Sequence, residues 1–245
     1  MIPKKIHYCW FGRGEKPKLA KKCIASWKKY CPDYEIIEWN EDNFDVNMNP
    51  YTKMCYEQKK YAFLSDYVRL LVVYEHGGIY FDTDVEVIKN PSFLLGEEAF
   101  FGFEIDSEKN KEGIVASGLG FGAIRHSKAL KTLLDEYATL LDGTKGIVGC
   151  PILNTKGMLK LGMKKEVGIQ KLQYVSLYPK EYFNPYESAT GKLEKTPNTV
   201  SIHWYGGSWL SPLKRIRGKI LQPFHRIFGV DCFEFLKNKK DYGKK

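Results

Sequence analysis

The clearest pattern of apolar and polar positions lies between residues 60 and 85, and it predicts a helix followed by a strand. Apolar side chains recur with a 3.6-residue period over residues 61–75, the spacing of a buried helical face. The pair Gly77-Gly78 follows, where glycine commonly ends a helix. The apolar run at residues 79–81 then predicts a short buried strand, which ends in the polar triplet 82–84.

The preceding segments predict the beginning of an α/β nucleotide-binding unit. Residues 2–12 form a first strand closed by a glycine, Pro17 opens an amphipathic helix, and residues 34–39 form a second strand. In sheets of this kind, ligands lie beyond the carboxyl ends of the strands. Trp10 stands at that end of the first strand, where its ring either stacks on a nucleobase or packs in the core.

Later segments predict further strands and one more helix. The predicted strands are residues 99–104, 115–124, 172–178 and 200–202, and a helix capped by Ser127 runs to residue 141. Three glycines interrupt the apolar strand at 115–124, which indicates a close approach of backbone or ligand.

Length and composition indicate one sizeable globular domain. The chain has 245 residues, of which 43% are hydrophobic, and it contains no apolar run long enough to span a membrane. Its first residues lack the apolar core of a signal peptide, and its six cysteines include no C-x-x-C pair. We therefore expect a cytoplasmic protein with reduced thiols.

The net charge of +9 is concentrated at the C-terminal end. From residue 212 onward there are ten Lys and Arg residues against three acidic residues. Bulky apolar residues alternate with these cations over residues 213–228. We predict a main domain at residues 1–211 and a basic amphipathic helical segment at 212–245. This segment either lies on an anionic membrane at the inner face of the cell or packs on the domain with a solvated basic face.

Carboxylates at the end of the buried strand are the first candidate for chemistry. Asp82 and Asp84 share one face of an extended chain, and two buried like charges resist ionisation. A hard cation such as Mn2+ or Mg2+ would relieve this conflict, whereas the alternative is a polar turn. Asp66 and Arg69 lie one turn apart on a helix that is apolar almost all round, so they are either a buried functional pair or a surface ion pair. His203 ends the strand at 200–202, and is either a further metal ligand or a core histidine.

The string Ser65-Asp66-x-x-Arg69 followed by Gly77-Gly78-Ile79-Tyr80-x-Asp82-x-Asp84 resembles the signature of the DXD sugar-binding glycosyltransferases of family 32. That family is related to the glucosyltransferase domains of the large clostridial toxins. His7-x-x-Trp10-x-Gly12 resembles its uracil-binding segment, and His203 with Ser208-Trp209 resembles the part that closes over diphosphate and metal. Two segments depart from the family: Ser117-Gly118-Leu119, where many relatives carry Asn, and residues 146–154, where Cys150 interrupts a Gly-Pro turn.

The resemblance implies a single α/β domain of GT-A type, Rossmann-like, with a mixed central sheet. It implies retaining transfer of a sugar from a nucleotide donor, UDP-Gal, UDP-Glc or UDP-GlcNAc, to an acceptor hydroxyl. The expected acceptor is a lipid-linked glycan in capsule or surface polysaccharide synthesis, and the expected cofactor is Mn2+ or Mg2+. The implied catalytic residues are Asp66, Arg69, Asp82 and Asp84, and the implied metal ligands are Asp82, Asp84 and His203. The implied donor-binding residues are His7, Tyr8, Trp10, Ser65, Asp66, Arg69, Tyr80, Asp82, Thr83, Ser208 and Trp209.

Two functions of other classes are weighed against this interpretation. A metal-dependent hydrolase of nucleotide sugars would use Asp82, Asp84 and His203 to activate water, but it leaves Trp10 and Ser208-Trp209 unexplained. A basic nucleic-acid-binding module would explain the net charge. However, the cations of the tail lack the interleaved exposed aromatics of a stacking platform, so we expect no nucleic-acid partner.

Overall fold

The computed structural model describes residues 1–207 and 212–232, apart from the side chains of residues 212 and 215. The strands of this part are β1 (Lys5–Cys9), β2 (Glu35–Trp39), β3 (Gly78–Tyr80), β4 (Val85–Val87), β5 (Ala99–Ile105), β6 (Ile114–Val115), β7 (Phe121–Ala123), β8 (Gln170–Lys171), β9 (Ser176–Tyr178), β10 (Tyr186–Glu187), β11 (Lys192–Leu193) and β12 (Ser201–His203). Its α-helices are α1 (Lys18–Tyr30), α2 (Pro50–Glu57), α3 (Tyr61–His76), α4 (Lys128–Tyr137), α5 (Cys150–Lys160), α6 (Lys180–Phe183) and α7 (Pro212–Phe228).

The central sheet is mixed, as predicted. Its strand order is β2-β1-β3-β7-β5-β9-β8, and β6 pairs with β5 beside this path. β1 is parallel to β2 and to β3, whereas β7 is antiparallel to its neighbours β3 and β5. Because β7 is antiparallel to both β3 and β5, these two strands run in the same direction. β1 shares this direction, since it is parallel to β3. Their carboxyl ends therefore meet at one edge of the sheet, where ligands bind in open α/β folds.

Apolar side chains cover both faces of this sheet. Tyr80 and Phe101 belong to the cluster that also contains residues of α3, α4 and α5. Their neighbours Ile79 and Phe100 belong to a second cluster, which also contains residues of α1. Successive residues of a strand point to opposite faces, so the central strands are buried on both sides, and this explains their unbroken apolar sequences.

Helix α3 and the glycines after it agree with the predicted pattern to within one residue. The helix ends at His76, and Gly77 follows with a φ of 63°. Gly78 has a φ of 120°, and a Cβ at this position would lie 2.8 Å from Nε2 of His7. Both positions therefore require glycine for the backbone conformation, and at both a Cβ would also lie within 3.0 Å of neighbouring atoms. The chain is thereby turned directly from the buried helix into β3.

The prediction of one strand at residues 115–124 is wrong. The structure instead has β6, a 3₁₀ turn at Ser117–Leu119, and then β7. Gly120 joins the turn to β7 with a φ of 128°, and its missing side chain leaves room for the ring of Phe81, 2.7 Å from an ideal Cβ. The glycines thus break the strand rather than run through it, because the turn must approach the end of β3.

Two further predicted elements differ from the structure. The helix that begins after Ser127 ends at Tyr137, and the Ser127 side chain makes no capping hydrogen bond. Of the predicted strand 172–178 only residues 176–178 are extended, as β9, because residues 172–175 form a turn after β8 in which Leu172 N donates to Val175 O at 2.9 Å. In both places local backbone turns override the apolar periodicity.

A two-stranded ribbon outside the central sheet places residues 201–203 beside β4. β12 pairs with β4 in antiparallel register, so that His203 lies opposite Val85. Trp27 of α1 donates from Nε1 to the carbonyl oxygen of Val85 at 2.8 Å, which fixes β4 against the domain. Residue 203 is therefore held next to the acidic triplet that precedes β4.

Candidate active site

A buried arginine organises the carboxylates at the end of β3. Arg69, which is only 3% exposed, donates to Asp66 one turn earlier on α3. It also donates from Nη1 to Oδ2 of Asp82 at 3.2 Å and from Nε to the Ser65 carbonyl at 3.0 Å. The surface ion-pair interpretation is therefore wrong, and α3 and β3 are joined through these charges.

The carboxylate of Asp66, on α3, adjoins the first residue of helix α5. Cys150, the first residue of α5, forms hydrogen bonds to the Asp66 carboxylate through its backbone and its thiol. Burial raises the pKa of Asp66, and the charge of Arg69 and the Cys150 hydrogen bonds offset only part of this effect. The residue that interrupts the Gly-Pro turn in the sequence is thus a direct neighbour of a predicted catalytic carboxylate.

The two aspartates of the acidic triplet and His203 form a compact group. Asp82, Asp84 and His203 each offer one ligand atom, and these three atoms lie within 4.8 Å of one another. Asp84 accepts from Nε2 of His203 at 3.2 Å and from the Gly206 amide at 2.7 Å. Asp82 accepts from the Tyr80 hydroxyl at 3.0 Å. Sequence reasoning predicted all three members of this group.

The titration behaviour of the group reflects its excess of negative charge. Burial raises the pKa of Asp82, and the nearby charge of Asp84 raises it further. Burial would also raise the pKa of Asp84, but the charge of His203 and the hydrogen bond to it lower the value to about 2. For His203 the burial effect is reversed by the charge of Asp84, and its pKa rises. Two carboxylates and an imidazole at this separation fit Mn2+ or Mg2+.

The backbone of the 3₁₀ turn closes one side of this group. A Cβ at Gly118 would collide with Oδ2 of Asp82 and would lie 2.9 Å from Nη1 of Arg69. The fully buried hydroxyl group of Ser117 belongs to the same turn. The glycine at 118 is therefore required by the side chains of the charged centre, in agreement with the close approach that the sequence predicted.

A second polar cluster lies on the other side of His203. The rings of His203 and Tyr205 are 4.1 Å apart between centroids, and Tyr205 has a positive φ of 49°. The Tyr205 hydroxyl accepts from Asn184 at 2.8 Å and donates to Glu104 at 3.3 Å. Sequence reasoning missed these three residues, although a single glutamate after the apolar run 99–103 was a visible signal. Asn184 and Glu104 thus hold the tyrosine whose ring packs on the imidazole.

Trp10 lies at the shared carboxyl edge of the sheet, where it packs against the core cluster that contains Trp27. Its ring is partly exposed directly after β1, and its Nε1 donates to the Gly14 carbonyl at 2.7 Å. Lys16 lies 5.6 Å above the ring and pairs with Glu38 at 2.7 Å, and Glu38 also accepts from the Tyr8 hydroxyl. The fully buried tryptophan of this region is Trp27.

The remaining predicted donor-binding residues are distributed unevenly. His7 is completely buried: its Nε2 lies 2.8 Å from the Gly77 carbonyl, and its Nδ1 accepts from Trp39 at 3.0 Å. Its side chain therefore supports β1 from within and does not face the edge. Ser65 and Thr83 are partly exposed next to the charged centre. Ser208 and Trp209 lie outside the described residues.

The known proteins that this chain resembles are glycosyltransferases. The family described as "Glycosyltransferase sugar-binding region containing DXD motif" matches residues 17–101. Inositol phosphoceramide mannosyltransferase 3 of Schizosaccharomyces pombe is 31% identical over 91 residues, or 34% of this chain. The matched part spans only 24% of the length of that relative.

A similar solved structure supports the fold. PaToxG glycosyltransferase superposes with a TM-score of 0.51 and 19% sequence identity, over 65% of this chain and 69% of that one. This similarity confirms the predicted GT-A fold. The segment that contains Arg69 and the acidic triplet lies within the matched residues 17–101, so the sequence similarity to glycosyltransferases includes the charged centre.

The space around Gly118 generates a testable prediction. In Gly118→Ala the added methyl group collides with Asp82, so the carboxylate must shift from its position beside Arg69. We expect the affinity for Mn2+, measured by titration calorimetry, to fall by about 10- to 100-fold, the range for disturbing groups that orient metal ligands. Gly96→Ala is the matched control, because no atom lies within 4 Å of that Cβ. Equal affinities in both variants would contradict the proposed packing.

Proposed function

We propose that this protein is a divalent-metal-dependent glycosyltransferase that moves a sugar from a nucleotide donor to an acceptor hydroxyl with retention of configuration. One observation carries the proposal: Asp82, Asp84 and His203 converge at the carboxyl edge of the sheet, beside the buried Asp66–Arg69 pair. The family match over residues 17–101 covers both aspartates and this pair.

We assign each residue of the site a role from its contacts and from the family resemblance. Asp82, Asp84 and His203 hold Mn2+ or Mg2+, which when bound neutralises charge on the leaving diphosphate. Asp66 accepts hydrogen bonds from hydroxyls of the donor sugar. Arg69 positions the carboxylates of Asp66 and Asp82, and it has further N–H groups with which to bind a donor oxygen.

The proposed donor is a UDP-sugar, UDP-Gal, UDP-Glc or UDP-GlcNAc, with its uracil on the exposed face of Trp10. Lys16 lies over this ring and over the ring of Tyr8, and it would border the base. The glycosidic C–O bond to the diphosphate breaks, the acceptor oxygen bonds to the same carbon, and the acceptor proton passes to the departing phosphate oxygen. This route on one face of the sugar needs no protein nucleophile and accounts for retention.

The proposed acceptor is a glycan carried by a lipid, as in capsule or surface polysaccharide synthesis. The curated relative supports a lipid-borne acceptor, because its name places mannosyl transfer on inositol phosphoceramide. The reaction would then take place at the inner face of the cell membrane. A hydrolase of nucleotide sugars is the competing function, and it differs in that water replaces the acceptor.

Activity measurements test the proposal. A panel of nucleotide sugars with Mn2+ should give slow release of the nucleoside diphosphate for one donor, and an added glycan acceptor should accelerate it; EDTA should stop both.

Asp84→Asn should reduce the rate by about 10²- to 10³-fold, because the leaving charge loses its stabilisation. Asp45→Asn, at an exposed aspartate, should change nothing. Full activity of Asp84→Asn in EDTA would refute the metal-dependent transferase. Release that no acceptor accelerates would favour the hydrolase.

Binding of the nucleotide tests Trp10 separately. Trp10→Ala should weaken the binding of UDP and Mn2+ by about 1–3 kcal/mol, the value of stacking one base on an aromatic side chain. Phe93→Ala removes a half-exposed aromatic ring elsewhere and should leave the affinity unchanged. Calorimetric titration of both variants with UDP and Mn2+ measures the two affinities. An unchanged affinity in folded Trp10→Ala would contradict stacking of the uracil on Trp10.

A further inference from the structure

Helix α7 rests on the domain through its polar side. Gln222 donates from Nε2 to the Tyr186 hydroxyl at 3.1 Å and to the Ser188 carbonyl at 2.9 Å. His225 bonds through Nδ1 to the Ala189 carbonyl at 3.1 Å, and Arg226 donates to the Thr190 carbonyl at the same distance. Residues 222, 225 and 226 share one helical face, so this polar face is attached to the hairpin of β10 and β11.

The apolar side of the same helix faces outward. Leu213, Ile216, Ile220 and Ile227 have exposed fractions of 79%, 56%, 61% and 73%. Their spacing of three, seven and fourteen residues places them on one face, opposite Gln222. A surface helix of a globular protein normally turns this face inward. Helix α7 therefore has the reverse orientation, and its row of large aliphatic side chains requires a partner outside the described residues.

The charges on and around this apolar face identify the chemistry of the partner. Arg217 and Lys219 are exposed between and beside the aliphatic residues. The segment from residue 212 onward has ten cations and three acids. A partner that buries the aliphatic side chains and carries negative charge would match both the apolar face and the cations. The headgroup region of an anionic bilayer has these two properties.

We propose that α7 is an interfacial helix, whose aliphatic face enters the headgroup region of an anionic membrane while its polar face holds the enzyme. The ring of Tyr186, which receives the Gln222 hydrogen bond, packs against Trp204 at 5.2 Å between centroids. Trp204 directly follows His203. The helix, the hairpin and the metal-binding group thus form one continuous set of contacts.

Because α7 contacts the site through the hairpin, membrane binding would place the site near the bilayer surface. This part of the inference rests on the proposed function. An enzyme that lies on the bilayer through α7 meets a lipid-borne acceptor in two dimensions, close to the strand that carries His203. The site and the membrane would be connected through the packed residues of the hairpin. Membrane binding itself does not depend on the identity of the donor or of the acceptor.

Sedimentation with vesicles tests the inference on the full chain. The protein should pellet at low salt with vesicles of phosphatidylcholine and phosphatidylglycerol, and should stay in solution with phosphatidylcholine alone. The double variant Ile216→Glu/Ile220→Glu should lower the bound fraction by about tenfold or more, because two charges enter the apolar face. Val167→Glu/Ile169→Glu is the matched control, with the same change at two exposed apolar residues of another surface. Arg217→Gln/Lys219→Gln should shift release to lower salt.

The outcomes separate this inference from the proposed function. The Ile216→Glu/Ile220→Glu variant should keep its circular dichroism spectrum and its release of nucleotide from the donor in solution. Equal pelleting of this variant and the wild type, or no pelleting of the wild type, would overturn the membrane-binding role. If the wild type were a dimer, the variant a monomer, and neither bound vesicles, the result would overturn it in favour of self-association through this face. Failure of the donor panel alone would refute the transferase and leave the vesicle result standing.

Discussion

The burial of the Arg69 guanidinium between carboxylates is the constraint on which the rest of the site depends. A charge this deeply buried is tolerated only if its donors are paired, and removal of one partner leaves an uncompensated charge. Asp66 comes from the same helix, Asp82 from the end of β3, and the turn at Gly118 must pass beside both charges. The helix, the strand and the turn are therefore fixed relative to one another by one side chain.

The same constraint leaves the site with more negative than positive charge. Three buried or partly buried carboxylates, those of Asp66, Asp82 and Asp84, face one permanent cation, Arg69, and one titratable ring, that of His203. Burial and the neighbouring charge of Asp84 raise the pKa of Asp82, which is the expected response to this imbalance. A divalent cation held by Asp82, Asp84 and His203 would balance the charges, and it would do so where a diphosphate must also be bound.

Much of this site was predictable because its central part is contiguous in sequence. The i, i+3 pair of Asp66 and Arg69, the paired glycines and the acidic triplet lie within some twenty residues, so local periodicity located them. Cys150, Tyr205 and Glu104 come from distant segments, and only the sheet and the β4–β12 ribbon bring them close. The 3₁₀ turn at Gly118 was predicted as part of a strand, because its cause is a contact with the side chain of Asp82. Periodicity also located the aliphatic residues of α7, but it left open whether they face a membrane or pack on the domain.

The central claim is that Asp82, Asp84 and His203 bind a divalent cation together with the nucleotide. Titration of Mn2+ followed by electron paramagnetic resonance, with and without UDP, tests it most directly. We predict one site in the wild type whose affinity increases when UDP is present, and loss of that site in Asp84→Asn and in His203→Ala. Asp45→Asn, at an exposed aspartate, should bind as the wild type does. Binding of one Mn2+ with unchanged affinity in both site variants would contradict the account.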